Sequence, residues 1–559
     1  MPKSDLRIDV LGTEITITTD EEASYLKVLM AKYRQTIENV RHRSGLKDPL
    51  KIAVLTGFLL CDDLEKAVTV EAKNNTTGEA EELTLGMISR LDEALKLAQT
   101  AGAAAPEEIY TVPTSGETLT VSDDTPQENY ISPETIGTIF KLENPVKNYE
   151  WGSPEWIPAF LGQKNISRIP WAELWLGVNP AGPSRVVGSG LLSELIGRNP
   201  AAFLGKETAA RFGTLPFLFK VLAAAKPLSI QVHPNAKQAR EGFERENREG
   251  IHLSASNRNY KDPNEKSEIL CAMSPFAALC GFRKVEEIIL LMEILLVNTE
   301  SRKGGLRSYI QDLVSALKQP QGVNPGKSPL KSFLSALFAL ESETLLGLGS
   351  FLKAIQPQLE RDFPEYSDEW YLCTYLASLY PGDAGIIAPI YLNIMDLGPG
   401  EAIFIPAGTP HAYINGMGIE LLSDSDNVLR GGLTPKHMDH AELMKILNFS
   451  EYRPEIMRPP ESAATKFPTA TSLPTEAKMP SLFNYPAGKF VLSVMRGFGA
   501  RFPYTNPGPS ILLVTEGVAV ASGGAETTLK KGESAFIPAG KKAVFSGTFT
   551  AYIASCGSS

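Results

Sequence analysis

The fold class that the sequence predicts is mainly β with a helical insertion, preceded by a small α+β module. Three observations carry it. The nine-residue pattern G-E-x-x-F-I-P-A-G occurs twice, at 400–408 and 532–540, which implies two related β-barrel units. Between 285 and 380 the runs IILLMEILL and YIQDLVSAL have helical length and period, so a block of helices interrupts the strands. The stretch PLSIQVHP at 227–234 alternates as a strand would, with Ser229, Gln231 and His233 on one side and Leu228, Ile230 and Val232 on the other.

At 559 residues the chain exceeds what one core can organise and is expected to hold about three or more domains. A net charge of -10 argues against a nucleic-acid or anionic-membrane surface. The five cysteines lie far apart without a C-x-x-C pair, so neither a disulfide framework nor a cysteine metal knuckle is expected. The first residues are polar, and no run approaches the roughly 18 apolar residues of a membrane span. These features predict a cytoplasmic protein.

In order along the chain, Leu6, Ile8 and Val10 and then Ile15 and Ile17 alternate with polar residues around Gly12, a small hairpin. Asp20 caps a helix whose Tyr25, Leu29, Tyr33 and Ile37 recur every four residues, and Asp48-Pro49 opens another through Ile52, Leu55 and Leu59. Ile88, Leu91, Leu95 and Ala98 form either a coiled-coil seam or a face packed on its own domain. The expected boundaries are 1–100 for this module and 101–137 for a Pro-, Ala- and Thr-rich linker. Beyond it come 138–284 as the first part of a central β domain, 285–380 as the helical insertion, 381–455 as the rest of that β domain, and 456–559 as a second barrel.

Within the central domain, Lys220 is a lone charge in the apolar run 215–225, where a lysine either snorkels to solvent or points into an anion pocket. Residues 235–264 read as polar and irregular, and strands return from 386, with one expected over 390–397. Lys266 and Glu268 share a face if a strand begins there. The first copy of the repeat ends in Thr-Pro-His and the second in Lys-Lys-Ala, so only the first barrel carries a ligand at that point. Of six histidines, His42, His252, His437 and His440 sit in charged or loop contexts and are expected to be solvated.

Short strands, G-E-x-x-F-I-P-A-G and a histidine just beyond it fit a cupin, a jelly roll closing around a metal. The hairpin with VLG, the helix start DEEASYL and the run DPLKIAVLTGFLLCDDL resemble the ZapA family of cell-division proteins. That likeness implies a homo-oligomer or a division-filament partner through residues 1–100, without an active site there. The motifs NPVKNYEWGS, AELWLG, LPFLFKVL, PLSIQVHPN, NRNYKDPNEKSEI, FIPAGTPHAY and SDNVLRGGLTPKHMD, from about residue 139 onward, resemble the type I mannose-6-phosphate isomerases. That resemblance implies one zinc per chain and interconversion of mannose 6-phosphate and fructose 6-phosphate.

Carried over by position, the resemblance makes Gln231, His233, Glu268 and His411 the metal ligands, an N/O set suited to zinc. It makes Arg430 and Lys266 catalytic, and places Ser229, Lys220, Lys436, Trp151 and Glu173 around a sugar-phosphate substrate. Arg430 precedes Gly431-Gly432, where backbone can approach closely. Trp151 and Glu173 would look the same as a core tryptophan and a capped glutamate. The sequence departs from the family at 264–268, where N-E-K-S-E replaces N-H-K-P-E, so Glu265 is the candidate acid–base group in place of a histidine. Asn179 also stands where the family commonly has histidine. The alternative is a non-catalytic cupin that binds a sugar phosphate as a sensor fused to a division module.

Overall fold

The computed structural model describes residues 4–10, 13–19, 37, 139–299, 305–318, 328–459, 480–486, 488–523 and 526–557. The chain divides into two compact units, Met1–Thr125 and Pro126–Ser559. In the first, Ser4–Val10 and Thr13–Thr19 pair as the expected hairpin, with Leu6 opposite Ile17 and Ile8 opposite Ile15. Ile37 is helical and buried, as expected. The expected helix over 49–64, the seam at 88–98 and the linker at 101–137 lie outside the described residues.

The second unit is built on two antiparallel sheets. One runs in the order Leu392–Leu397, Phe276–Phe282, His411–Ser423, Phe217–Ala224, Glu173–Leu176 and Val146–Lys147. Glu268–Ala272, Ala402–Ile405, Gln231–Val232 and Leu429–Arg430 pair beside that path. The other sheet is formed by the C-terminal strands, and Phe140–Glu143 joins it by pairing with Ser534–Ile537. Among the described residues neither pairing path closes into a ring; each sheet folds over itself as a jelly roll does. A shared core fuses them, with Phe219, Val221, Ile419 and Leu421 of one sheet packed among Ile511, Leu513 and Phe536 of the other. All eight residues of Phe217–Ala224 are buried, which explains why this strand reads as a continuous apolar run.

The repeated nonapeptide makes the same structure twice. Ala402–Ile405 and Ser534–Ile537 are the strands, and the flanking glycines share the left-handed backbone, φ 85° at Gly400 and Gly408 and 84° and 71° at Gly532 and Gly540. Glu401 accepts from the Gly398 N–H and Glu533 from the Lys530 N–H, both at 2.8 Å, so the glutamate in each copy ties off its own turn.

The insertion is helical as expected, through Val285–Val297, Leu306–Leu317, Pro329–Phe338, Ser342–Asp362 and Ser367–Leu379. Its apolar faces meet in one core around Phe333, Phe351 and Trp370.

Four expectations are corrected. The stretch 227–234 is a strand only at Gln231–Val232, because the chain passes from one partner to the next: Leu228 N–H donates to Tyr413 O, while Ile230 exchanges hydrogen bonds with Gly431 and Gly432. Its alternation holds nonetheless, with Leu228, Ile230 and Val232 buried. Residues 236–248 are a helix, started by a reciprocal capping box between Asn235 and Gln238 that outweighs the polar composition. The strand expected over 390–397 begins at Leu392, after a helical turn at Ala388–Tyr391. His440 is not solvated: its ring stacks on Phe338 at 4.2 Å, and its Nε2 is buried.

Candidate metal centre

His411 opens the strand His411–Ser423, directly after the turn of the first repeat, and Gly408 N–H in that turn donates to His233 O at 2.8 Å. One backbone bond thus brings together two residues that lie 178 positions apart in the chain. His233 Nδ1 is 2.8 Å from Asn427 O, and His411 Nδ1 is 3.0 Å from Thr409 O. A carbonyl only accepts, so each Nδ1 carries the proton and each Nε2 presents a lone pair. Glu268, first in the strand Glu268–Ala272, places Oε1 3.3 Å from His233 Nε2 and Oε2 3.3 Å from His411 Nε2.

The donor atoms of these three residues lie within 4.8 Å of one another, and each residue is 2% exposed. His233 Nε2 and Glu268 Oε2 are buried without a hydrogen-bond partner. Lone pairs converging in a dry site are costly unless a cation lies between them. Two imidazole nitrogens and a carboxylate are the donor types that a zinc-like ion takes. Burial, with the Lys266 ammonium nearby, pushes the His233 imidazole down to about 4, so it is neutral and ready to ligate at ordinary pH. Burial opposes ionisation of Glu268, but the Lys266 ammonium beside it overcomes that cost and holds the carboxyl well below its usual range. Gln231 is half-buried and lies directly opposite His411 on one side and Arg430 on the other. Directly opposed residues of an antiparallel pair project to the same face, so the amide joins this cluster's side of the sheet.

A charged row continues along the inner face. Lys266 Nζ lies 3.1 Å from Glu268 Oε1. Lys220 does not snorkel; it is buried between Glu173 at 3.3 Å and Glu420 at 3.1 Å. The strand register puts Trp175, Lys220 and Glu420 side by side, which holds the ammonium among them. Burial alone would depress Lys220, but the two carboxylates more than offset it and hold the amine above its ordinary value. Trp175 Nε1 donates to Glu173 at 2.7 Å and Tyr413 hydroxyl donates to Glu420 at 2.9 Å, which satisfies the outer ends of the row.

Beside the cluster opens a cleft of about 520 Å³ whose lining includes Arg430, Lys436, Lys261, His437, Ser254 and Ser256. Burial lowers Arg430, and burial with the neighbouring Arg430 and Lys261 charges lowers Lys436. Cations that destabilise one another around a cavity make an anion site.

Not every expected residue joins these groups. Both carboxylate oxygens of Glu265 are taken by hydroxyls, Ser267 at 3.1 Å and Ser423 at 3.2 Å. Lys266 pairs with Glu268, whereas Glu265, in the segment ahead of the strand Glu268–Ala272, is held by these two serines. Ser229 is half-buried beside Gln231. Trp151 packs against the core around Leu222 and Phe276 and stacks on Tyr149 at 5.6 Å. Asn179 is buried, donating to Asp424 at 3.1 Å and accepting from the Ala181 N–H at 2.9 Å, a turn-forming role. Sequence reading missed Glu420, Tyr413, Lys261 and Asn427. Glu420 carried the same signal as Lys220, one charge inside an apolar strand, and His437 lines the cleft although it read as merely solvated.

Residues 139–285 match the family model "Phosphomannose isomerase type I, catalytic domain", and residues 6–100 match "Cell division protein ZapA". Mannose-6-phosphate isomerase of Escherichia coli (strain K12) is 35% identical over 409 residues, covering 72% of this chain and 96% of the relative. Mannose-6-phosphate isomerase 2 of Arabidopsis thaliana is 34% identical over 413 residues, covering 70% and 87%. Among solved structures, the mannose 6-phosphate isomerase of Salmonella typhimurium bound to fructose 6-phosphate and zinc aligns with a TM-score of 0.65 at 34% identity. That alignment covers 76% of this chain and all of the other. A zinc-bound mannose 6-phosphate isomerase aligns with the same TM-score of 0.65, at 33% identity.

The geometry separates two histidines. His411→Ala removes one of three converging donors and should abolish metal retention through dialysis, measured by metal analysis of the purified protein. His440→Ala should lower the unfolding midpoint by removing the Phe338 stack while leaving metal content intact. Equal metal loss in both variants would contradict the assignment of His411.

Proposed function

The chain belongs to the mannose-6-phosphate isomerase family, and from that premise we propose that it interconverts mannose 6-phosphate and fructose 6-phosphate at the His233–Glu268–His411 centre. The observation that carries the reading is the convergence of three buried donors, two of their atoms unpartnered, beside a cationic cleft. His233, His411 and Glu268, with Gln231 on the same face, would hold one zinc, which supplies Lewis acidity to the sugar oxygens. The chain's own residues do the rest. Arg430 and Lys436 bind the phosphate dianion in the cleft, and Arg430, opposite Gln231 in the strand register, orients the sugar between phosphate site and metal centre. Lys266 holds positive charge at the cluster, 3.1 Å from Glu268, where it stabilises negative charge that develops on the sugar oxygens. Lys220, kept protonated by Glu173 and Glu420, maintains the same field from the adjoining strand. Ser229 lines the approach, while Trp151 and Glu173 act on the walls, through packing and through Lys220. A binding-only sensor is not favoured, since the donors and the cleft that a catalyst requires are both present.

The match of residues 6–100 supports assigning the first unit to assembly: a homo-oligomer or a division-filament partner docks there. No helix among the described residues is long and apolar enough to cross a membrane. Cys271, Cys280, Cys373 and Cys556 are unbridged, which supports a reducing, cytoplasmic setting.

Two experiments test these assignments. In a coupled assay on mannose 6-phosphate, Arg430→Ala should lower kcat/KM by about two orders of magnitude or more. Glu265→Gln, whose serine partners can still hydrogen-bond the amide, should cost less than tenfold. A hundredfold loss at Glu265→Gln, the scale of a general acid–base group, would return it to the chemistry. A chain beginning at Ser132 should keep kcat within a few-fold while its mass by light scattering falls below that of the full-length assembly. An unchanged number of chains per particle would remove the assembly role.

A further inference from the structure

From the hydrogen bonds around Asn427, a fully buried residue whose side chain has no role assigned above, we infer that it is the positioning residue that locks the metal centre and the anion cleft into one geometry. The inference rests on the isomerase reading and adds a residue to it. The backbone carbonyl of Asn427 is the partner of His233 Nδ1 at 2.8 Å, so it sets the ring's tautomer and aims Nε2 at Glu268. Its side chain does something separate. Oδ1 accepts from the N–H of Lys261 at 2.7 Å and of Asp262 at 3.2 Å, and Nδ2 donates to the carbonyls of Asp262 at 2.8 Å and Asn264 at 2.9 Å. A carboxamide has two donor hydrogens and two acceptor lone pairs, and here all are used.

The segment it pins leads at one end to Lys261, in the wall of the cleft, and at the other to Lys266 and Glu268 in the metal cluster. Asp426 and Val428, its chain neighbours, line the same cleft, as does Arg430, three residues after Asn427. Asp262 reinforces the join by accepting from Ser425 hydroxyl at 3.1 Å and Asp426 N–H at 2.8 Å. One amide therefore fixes the spacing between the cations that take a phosphate and the donors that take a metal. No other side chain offers the same four bonds: a carboxylate would face two carbonyls with no hydrogen to give, and alanine would give up all four.

The second sheet supplies the control. Asn506 is equally buried and equally satisfied, donating to the carbonyls of Ile537 and Pro538 and accepting from Tyr504 and Ser510 hydroxyls, with no cluster of metal-ligating side chains around it among the described residues. Its loss should cost stability alone. The experiment compares full-length Asn427→Ala, Asn427→Ser and Asn506→Ala by zinc competition against a chromogenic chelator, and by KM for mannose 6-phosphate at saturating zinc. Asn427→Ala is expected to weaken zinc binding about 10–100-fold, the range for partners that orient a ligating histidine, and to raise KM. Asn427→Ser, which keeps a hydroxyl in the cavity and guards against a folding failure of the alanine variant, should move both in the same direction. Asn506→Ala should lower the unfolding midpoint yet bind zinc and substrate like the parent. Parental zinc affinity in the Asn427 variants, or an equal loss in Asn506→Ala, would overturn the inference. A parent protein that binds zinc without turning over the substrate would instead remove the isomerase reading and leave this comparison readable.

Discussion

Three electron-rich atoms aimed at one another in a dry interior are the constraint on which the rest of this structure depends. His233 Nε2, His411 Nε2 and a carboxylate oxygen of Glu268 are buried together, and neither His233 Nε2 nor Glu268 Oε2 has a hydrogen-bond partner among the described residues. Such an arrangement survives in the folded chain only because the surroundings over-determine it. Carbonyls of Asn427 and Thr409 fix both rings, Gly408 stitches the turn to His233, and Lys266 compensates the carboxylate. The two sheets, with their shared apolar core, supply the rigidity that keeps the donors converged until a cation joins them.

The internal duplication shows what that convergence requires. Both copies of G-E-x-x-F-I-P-A-G fold alike, with matching left-handed glycines and matching glutamate-tied turns. In one, the turn delivers His411 against His233. In the other, Gly540 N–H meets Asn506 O, and the buried amide closes on backbone carbonyls and hydroxyls instead. The same backbone therefore makes a reactive centre or an inert polar knot, and the choice lies in a few side chains.

This is also why the site was more legible in the sequence than the scaffold around it. The motifs shared with the isomerase family named His233, Glu268 and His411, which the structure brings together. The stretch 227–234 looked like a long strand because its alternation is real, although only two residues pair; alternation reports faces, not partners. The helix Ala236–Arg248 was hidden because a capping box, not an apolar stripe, starts it. Lys220 could be read two ways until the register set two carboxylates beside it, and Glu265 looked like a base until both its oxygens were found on serines. Asn427 left no signal at all, since its bonds reach segments more than 160 positions away and join backbone groups that any residue would supply.

The central claim is that one zinc at this centre turns the chain into an isomerase. Its most direct test is a titration of metal-free, full-length protein with zinc while fructose 6-phosphate formation from mannose 6-phosphate is followed in a coupled assay. The account predicts no turnover before addition and a rise that levels off at one zinc per chain. Full turnover in the metal-free chain, or a zinc-saturated chain that forms no product, would contradict it.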